Sequence, residues 1–314
     1  TARMTLPAGD DTAWFHHFIV ARLMERLGYQ IDMVDPVDIP VFFLSAARGE
    51  IDFWANGWFP LYNPYMEDER VQGKVEAVGY IVQQGALQGY LIDKATADAH
   101  GIDTLADLRD PALAQLFDAD GDGKADLIGC NPGWGCEKVI EHHLDAYDLR
   151  DTVEHVQGAY FALMGDALRR YDEGKPILFY TWTPNWTIHR LKPGKEVVWL
   201  EVPHADLPEA QKELEPYTEI EGVEGCVDDP CQMGWPANDI RIVANRQFLE
   251  ANPVARRLFE LIEVPLADIA AQNVRMYEGE SSEEDVWRHA DEWIEAHQQT
   301  IDDWLEAARQ AGDS

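Results

Sequence analysis

The chain has 314 residues, of which 46% are hydrophobic and 11% aromatic, so it can fold as two ordinary domains with a sizeable core. Asp and Glu number 58 against 25 Lys and Arg, a formal net charge of −33 at pH 7. This composition excludes a disordered chain, and the negative charge argues against nucleic acid and anionic membrane surfaces as partners.

The strong acidity predicts adaptation to a saline environment. Like charges at this density repel one another in the folded state, and salt screens them because the Debye length falls to about 3 Å at 1 M. The sequence begins at Thr1 without methionine. We interpret this start as the mature form of an exported protein whose leader has been removed.

Helical and strand-like patterns alternate along the chain, which predicts an α/β fold. The first helix is expected at residues 12–27, with an apolar face and Gly28 at its end. Later helices are expected at residues 41–48, 137–147, 162–173 and 286–294. Strands are expected at residues 31–34, 51–55, 79–82, 89–92, 127–129, 152–156, 177–180, 197–202 and 239–243.

The chain shows no low-complexity linker between its two expected domains, so we expect it to cross between them twice. Crossings near residues 88–95 and 234–240 would give lobe A from residues 1–90 plus 238–314, and lobe B from residues 91–237. Clefts between lobes are favoured sites for small ligands, and a ligand cleft is expected here.

Four cysteines occur as two close pairs, Cys130 with Cys136 and Cys226 with Cys231. Neither spacing is a common zinc pattern, and no histidine completes a Cys/His set at the second pair. Two short disulfide-closed loops in an exported protein are the favoured interpretation over metal or redox roles.

The segment 129–137, Gly-Cys-Asn-Pro-Gly-Trp-Gly-Cys-Glu, joins a predicted strand to a predicted helix. The start of a helix offers unpaired backbone N–H groups and a dipole that stabilise a carboxylate. Trp134 lies in the middle of this segment, between two glycines that allow close approach of a ligand. The combination suits a ligand with an acid group and a bulky cation, although a tight structural loop with a packed tryptophan explains it equally well.

Two further tryptophan segments follow predicted strands, at residues 54–62 and 180–186. Aromatic side chains just past the carboxyl ends of strands lie where open α/β sheets bind ligands. A quaternary ammonium group cannot donate hydrogen bonds, so proteins hold it with aromatic faces. With 11 tryptophans in the chain, most belong to the core, and we assign Trp287, Trp293 and Trp304 to packing.

The chain resembles the ProX-type substrate-binding proteins of ProU-like glycine betaine/proline betaine ABC transporters over nearly its whole length. The segments that carry the resemblance are residues 89–94, 117–127, 129–137, 180–184 and 242–245. It implies a two-lobed type II periplasmic-binding-protein fold that closes on a compatible solute for delivery to a membrane permease. It also implies a periplasmic or otherwise extracytoplasmic location and no cofactor, and we expect a monomer.

In that family three tryptophans form an open box around the ammonium group, and the matching positions are Trp58, Trp134 and Trp182. The ligand carboxylate meets backbone amides that fall on Gly135 and Cys136. A histidine also assists in the family, but Tyr62 occupies its position here. A tyrosine hydroxyl can still donate to a carboxylate while remaining neutral at ordinary pH.

Two other functions are alternatives to the transport role. A carboxylate hydrolase acting on a sugar would also use a tryptophan-lined cleft, but the sequence has no Gly-x-Ser-x-Gly elbow, phosphate loop or His-Glu-x-x-His motif. A calcium-stabilised interaction protein would use the acidic loop at residues 118–126, which matches the front of a calcium loop but has Gly129 where an EF-hand supplies glutamate. We interpret that loop as an acidic turn and predict no metal site. Adjacent His142 and His143 face different directions on a helix, and we interpret both as structural or exposed.

Overall fold

The computed structural model describes residues 1–312, which form two compact α/β units. Unit 1 contains Thr1–Ala86 and the chain from Asn238 onward, and unit 2 contains Leu87–Ala237. Each unit has its own five-stranded sheet, so the predicted α/β class is confirmed.

In chain order the strands are β1 (Ala2–Pro7), β2 (Ile31–Val37), β3 (Phe53–Phe59), β4 (Val75–Ala86), β5 (Gln88–Asp93), β6 (Ala125–Ile128), β7 (Val153–Val156), β8 (Leu178–Trp182), β9 (Val197–Leu200), β10 (Glu219–Ile220), β11 (Cys231–Gln232) and β12 (Asn238–Asn245). The α-helices are α1 (Trp14–Arg26), α2 (Ile39–Arg48), α3 (Asn63–Glu67), α4 (Lys94–His100), α5 (Pro111–Ala114), α6 (Gly135–Ala146), α7 (Tyr160–Asp172), α8 (Thr187–Arg190), α9 (Arg246–Ala251), α10 (Pro253–Leu261), α11 (Leu266–Tyr277), α12 (Glu283–Ala296) and α13 (Gln298–Gln310). No helix within residues 1–312 has the length and hydrophobicity needed to cross a membrane.

The sheet of unit 1 has the strand order β2-β1-β3-β12-β4. β1 runs parallel to β2 and β3, whereas β12 runs antiparallel to β3 and β4. Helix α1 packs on this sheet and on α12, where Phe18 stacks on Trp287 with ring centroids 3.8 Å apart. The contact agrees with the assignment of Trp287 to packing.

The sheet of unit 2 has the strand order β7-β6-β8-β5-β9. β6 is parallel to β7 and β8, and β5 is antiparallel to β8 and β9. The face that α6 turns to the interior carries Val139, Ile140, His143 and Leu144, all buried as predicted. His143 reaches β5, where its Nδ1 lies 2.8 Å from the hydroxyl of Tyr90.

The sequence analysis missed the two-residue strands β10 and β11 and the longer strand β1, which lies between β2 and β3. Its six residues alternate Met4 and Leu6 with polar neighbours over too short a span to stand out. Asp52 helps to fix this strand because its carboxylate accepts from the backbone N–H of Arg3 at 2.7 Å and pairs with the Arg3 guanidinium. That pairing joins residues 49 positions apart, which local periodicity does not register.

Candidate ligand-binding site

Trp58 lies near the end of β3 in unit 1 and is buried. Its indole Nε1 donates a hydrogen bond to Oδ1 of Asn56 at 2.9 Å. Because residues two apart on a strand project to the same face, Asn56 is placed to orient the indole. Across the sheet, Trp58 pairs with Ile240 of β12. Trp58 is therefore fixed by Asn56 on its own strand and by the pairing of β3 with β12.

Tyr62 follows in the turn after β3, where its backbone N–H donates to the carbonyl of Trp58 at 2.8 Å. Its ring packs edge-to-face against Phe43 and Tyr65, with centroids 5.9 and 5.7 Å away. Burial raises the pKa of the Tyr62 hydroxyl well above its usual value, and the neighbouring Tyr65 and Asp10 raise it further. Tyr62 is thus a neutral hydroxyl throughout the physiological pH range.

In unit 2, the conformation of the loop between β6 and α6 requires glycines, and the Cys130–Cys136 disulfide closes the loop. A Cβ at Gly129 would lie 1.7 Å from Nε2 of His155, so only glycine fits at the end of β6. Gly133 has φ of 87°, the left-handed region that favours glycine, and its N–H donates to the Glu137 carboxylate at 2.6 Å. The predicted disulfide is confirmed.

Helix α6 begins directly after this loop, with Trp134 as its N-cap residue and Gly135 as its first helical residue. The first N–H groups of a helix have no carbonyl four residues earlier to bond to, so the amides of Gly135 and Cys136 are available to an acceptor. The helix dipole adds partial positive charge at the same place. This helix start has the chemistry of a carboxylate site.

Trp182 ends β8 and lies beside Trp134, with ring centroids 5.5 Å apart and planes at 76°. Both indoles are buried, and the centroid of Tyr160 lies 4.6 Å from that of Trp182. Unit 2 therefore brings together Trp134, Trp182 and the start of α6 in one cluster, which we call the half-site of unit 2 because ligand binding is predicted for it.

The structure thus places four of the predicted ligand residues in unit 2 and two in unit 1. Those in unit 2 are Trp134, Gly135, Cys136 and Trp182, and those in unit 1 are Trp58 and Tyr62. The association of Trp58 and Tyr62 with the half-site of unit 2 stays a prediction.

Sequence reasoning missed the aromatic residues that surround Trp182. Tyr160 and Phe161 open α7, and the Phe161 ring lies 5.9 Å from Trp182 and 5.6 Å from Trp186. The hydroxyl of Tyr160 donates to Oγ1 of Thr181 at 2.8 Å, which ties α7 to β8. Two adjacent aromatics at a helix start were the available signal, but they resemble ordinary core residues.

The second cysteine pair also forms a disulfide, Cys226–Cys231, which leads into β11. The structural interpretation of His143 agrees with its complete burial, which lowers its pKa to about 3 and keeps it neutral. His142 is half-buried, and its Nε2 lies 2.8 Å from the carboxylate of Asp206.

In the acidic loop that precedes β6, side-chain carboxylates accept hydrogen bonds from backbone N–H groups of the same loop. The Asp118 carboxylate accepts from the N–H groups of Gly121 and Gly123, at 2.6 and 2.9 Å. One carboxylate oxygen from each of Asp118, Asp120 and Asp122 falls within 4.8 Å of the others, but exposed acidic groups often cluster in this way without a cation. We assign no metal to it.

Comparisons with known proteins show the family to which the chain is related. Residues 9–296 match the family model described as the substrate-binding domain of ABC-type glycine betaine transport systems. A glycine betaine-binding periplasmic protein of Dickeya dadantii is 47% identical over 95% of this chain and 86% of its own length. The glycine betaine/proline betaine-binding periplasmic protein of Escherichia coli is 46% identical over 94% of this chain and 86% of its own.

Solved structures share the fold at much lower identity. An ABC-transporter choline-binding protein in complex with choline matches with a TM-score of 0.75 at 18% identity, covering 97% of this chain and 91% of its own. Lactococcal OpuAC in its closed form with glycine betaine matches with a TM-score of 0.70 at 18% identity, covering 97% and 98%. The predicted periplasmic-binding-protein fold is confirmed.

The two alternative functions, a sugar hydrolase and a calcium-stabilised interaction protein, are not favoured by these relatives. The family consists of substrate-binding transport proteins and not of enzymes, as predicted. The chain belongs to the family of substrate-binding domains of ABC-type glycine betaine transport systems.

Proposed function

We propose that this protein captures a small zwitterionic quaternary-ammonium solute of the glycine betaine type outside the cytoplasm and delivers it to the membrane permease of an ABC importer. The observation that carries the proposal is the half-site of unit 2, where Trp134 and Trp182 adjoin the N-terminus of α6. The two indoles suit a methylated cation, and the helix N-terminus suits an acid group.

The cation is held by aromatic faces in this proposal. Each indole face contributes about 0.5 to 2 kcal/mol to the binding of a desolvated cation. A quaternary ammonium group has no N–H to donate, so a polar partner offers it no hydrogen bond. Trp58, oriented by Asn56, is the third wall of the cage. Lobe A, at residues 1–90 plus 238–314, would supply this wall, and lobe B, at residues 91–237, the other two. Closure of the lobes would then desolvate both ends of the ligand.

The acid group is bound by neutral donors. The amides of Gly135 and Cys136 meet the carboxylate, and the Tyr62 hydroxyl stands where the family uses a histidine. Because burial holds the pKa of Tyr62 well above its usual value, this donor keeps its proton across the physiological range. We therefore expect the affinity for glycine betaine to be the same at pH 6 and pH 8.

The names of the relatives support the choice of ligand and compartment. They are periplasmic and bind glycine betaine, in one case together with proline betaine. Both betaines are ligands to test, and an extracytoplasmic location follows for this chain by the same comparison. We also propose that the protein acts as a monomer, which size-exclusion chromatography with light scattering would check.

Isothermal titration calorimetry with glycine betaine tests the function. Trp134→Ala removes one wall of the cage and is expected to weaken binding about 10- to 100-fold, the equivalent of roughly 1 to 3 kcal/mol. Trp287→Phe is the matched control, since Trp287 packs on Phe18 of α1. Unchanged affinity in Trp134→Ala, or no binding of either betaine by the wild type, would contradict the proposal.

The acidity of the chain supports a second part of the proposal, namely function in a saline habitat. A net charge of −33 destabilises the compact state in dilute buffer, and salt relieves this repulsion. We expect the melting temperature to rise between low salt and 1 M KCl. A protein that is equally stable in both would refute the salt adaptation but leave the betaine site unaffected.

A further inference from the structure

We propose that the side-chain amide of Gln88 is a further donor to the acid group of the ligand, so that β5 takes part in recognition together with α6. This inference rests on the proposed function, because it names a third contact in the same half-site. It is carried by the position of Gln88 in the sheet and by the hydrogen bonds of its amide.

Gln88 is the first residue of β5 and pairs directly with Trp182 in the antiparallel β5–β8 ladder. Directly opposed residues project to the same face of the sheet with Cβ atoms about 5 Å apart. The Gln88 side chain is thus a direct neighbour of the indole that forms one wall of the proposed cage. Both residues lie at the edge where β8 ends, the edge at which such sheets bind ligands.

Gln88 also lies level with the first turns of α6. Tyr90, two residues along β5, contacts His143 of α6. From Tyr90 back to Gln88 is about 7 Å of strand, and from His143 back to Gly135 is about 12 Å of helix. Both distances lead toward the same edge, because β5 runs antiparallel to β8 and α6 starts where the parallel strand β6 ends. Trp182, opposite Gln88, also lies beside Trp134, the residue that precedes Gly135, so the amide lies on the side of the sheet where α6 begins.

The amide of Gln88 has one end bound and one end without an acceptor. Its Oε1 accepts the hydroxyl proton of Tyr180 at 2.7 Å, which fixes the orientation of the group. Its Nε2 is buried and has no hydrogen-bond acceptor among residues 1–312. A buried donor without an acceptor is costly, so native structures rarely keep one unless a bound partner completes it.

A betaine offers only one kind of group that this donor can serve. The quaternary ammonium end has no lone pair, whereas each carboxylate oxygen accepts hydrogen bonds. The neutral amide adds no charge next to Trp182, so it leaves the attraction between the indole and the cation intact. Gln88 is thus suited to the acid end of the ligand.

Two substitutions separate this role from a packing role, with glycine betaine affinity measured by calorimetry at pH 8.5. Gln88→Leu removes the donor and is expected to weaken binding about 10- to 100-fold, as for a hydrogen bond to a charged group. Gln88→Glu keeps the shape and the acceptor for Tyr180 but places a negative charge against the ligand carboxylate. It is expected to weaken binding more than Gln88→Leu, because like charges repel in a desolvated site.

A packing role predicts the opposite order, since Glu is nearly isosteric with Gln and Leu is not. Equal or milder loss in Gln88→Glu would therefore overturn the inference, as would wild-type affinity in Gln88→Leu. Gln272→Leu is the matched control, because it removes a buried amide of unit 1 that contacts His289 and Asn273. It is expected to lower the melting temperature and leave the affinity unchanged. Failure of the wild type itself to bind glycine betaine would refute the proposed function, which is a separate result.

Discussion

Strand β6 is entered from one polar loop and left through another, and the two loops use their backbone N–H groups differently. The acidic loop, residues 118–126, leads into the strand and includes its first two residues, and the disulfide loop, residues 129–134, follows it. Both are rich in glycine, and both have sequence features of a ligand site. In the structure the acceptors of their backbone N–H groups differ.

In the acidic loop, carboxylates of the loop itself accept the amide protons. Asp118 accepts from two glycine N–H groups, Asp120 accepts from the N–H of Asp122, and Asp122 accepts from that of Lys124. In the disulfide loop, Glu137 accepts from the Gly133 N–H. The first amides of α6 have no helical carbonyl four residues earlier to bond to, and we propose that they bind an external acceptor. The composition of a loop therefore does not identify an anion site; the partners of its amides do.

Gly135→Pro tests the open amides most directly and has the largest expected effect among changes in these two loops. Proline is well tolerated at the first helical position, where Gly135 lies, and the extended ψ of 155° at Trp134 suits a following proline. The change deletes one N–H donor, so we expect glycine betaine to bind about 10- to 100-fold more weakly in calorimetry.

The matched control for that prediction is Glu283→Pro, at the first position of α12 in unit 1. Its N-cap, Ser282, also has an extended ψ of 156°, so the backbone accepts proline equally well. Both variants should melt near the wild type, while only Gly135→Pro loses affinity. Equal affinities in the two variants would show that the amide at residue 135 does not contact the ligand.

The two disulfides offer the next comparison, because they close loops of similar length. Their sequence separations are six and five residues, so removing either pair by double Cys→Ala substitution is expected to cost about 2 kcal/mol of unfolding free energy. Only loss of Cys130–Cys136 should weaken betaine binding, by roughly 10-fold, because this bridge holds the start of α6. Denaturant unfolding and calorimetry on both variants would check this, and an equal loss of affinity in the two would contradict it.

A smaller effect is expected from Asp118→Ala in the acidic loop. The change removes the acceptor for the Gly121 and Gly123 amides, which water replaces in this exposed turn, so stability should fall by about 1 kcal/mol. Affinity for glycine betaine should not change, and neither EDTA nor calcium should shift the melting temperature of the wild type. A calcium-dependent rise that disappears in Asp118→Ala would instead identify the loop as a cation site.

The sequence predicted local features well and non-local ones poorly. The apolar face of α6 and both cysteine pairs follow from spacing within a few residues, and the structure confirms them. The pairing of Gln88 with Trp182 joins residues 94 positions apart, and neither position shows in its own neighbourhood that the other lies opposite. Tyr160 was missed for the same reason, since its role depends on β8.

The smallest expected effect concerns Asp126, which accepts from the Ala119 N–H and closes the acidic loop onto β6. Burial raises the pKa of this carboxyl, and the charges of Asp120 and Asp118 raise it further. A raised pKa in the folded state stabilises the fold below the unfolded pKa of about 3.9, and this contribution is lost as the pH rises through the folded value. The charged Asp126 carboxylate therefore lowers the free energy of unfolding at pH 7.

Asp126→Asn removes this destabilising charge, and the Asn side-chain oxygen still accepts from the Ala119 N–H. At pH 7 and low salt we expect the melting temperature to rise by about 1 to 2 °C. At pH 3 the variant and the wild type should melt together, because both side chains are then neutral. The gain should also shrink in 1 M KCl, where Asp118 and Asp120 are screened. A fall in melting temperature at pH 7 would mean that the loop needs its full negative charge, as a cation site does, and would remove the contrast between the two loops.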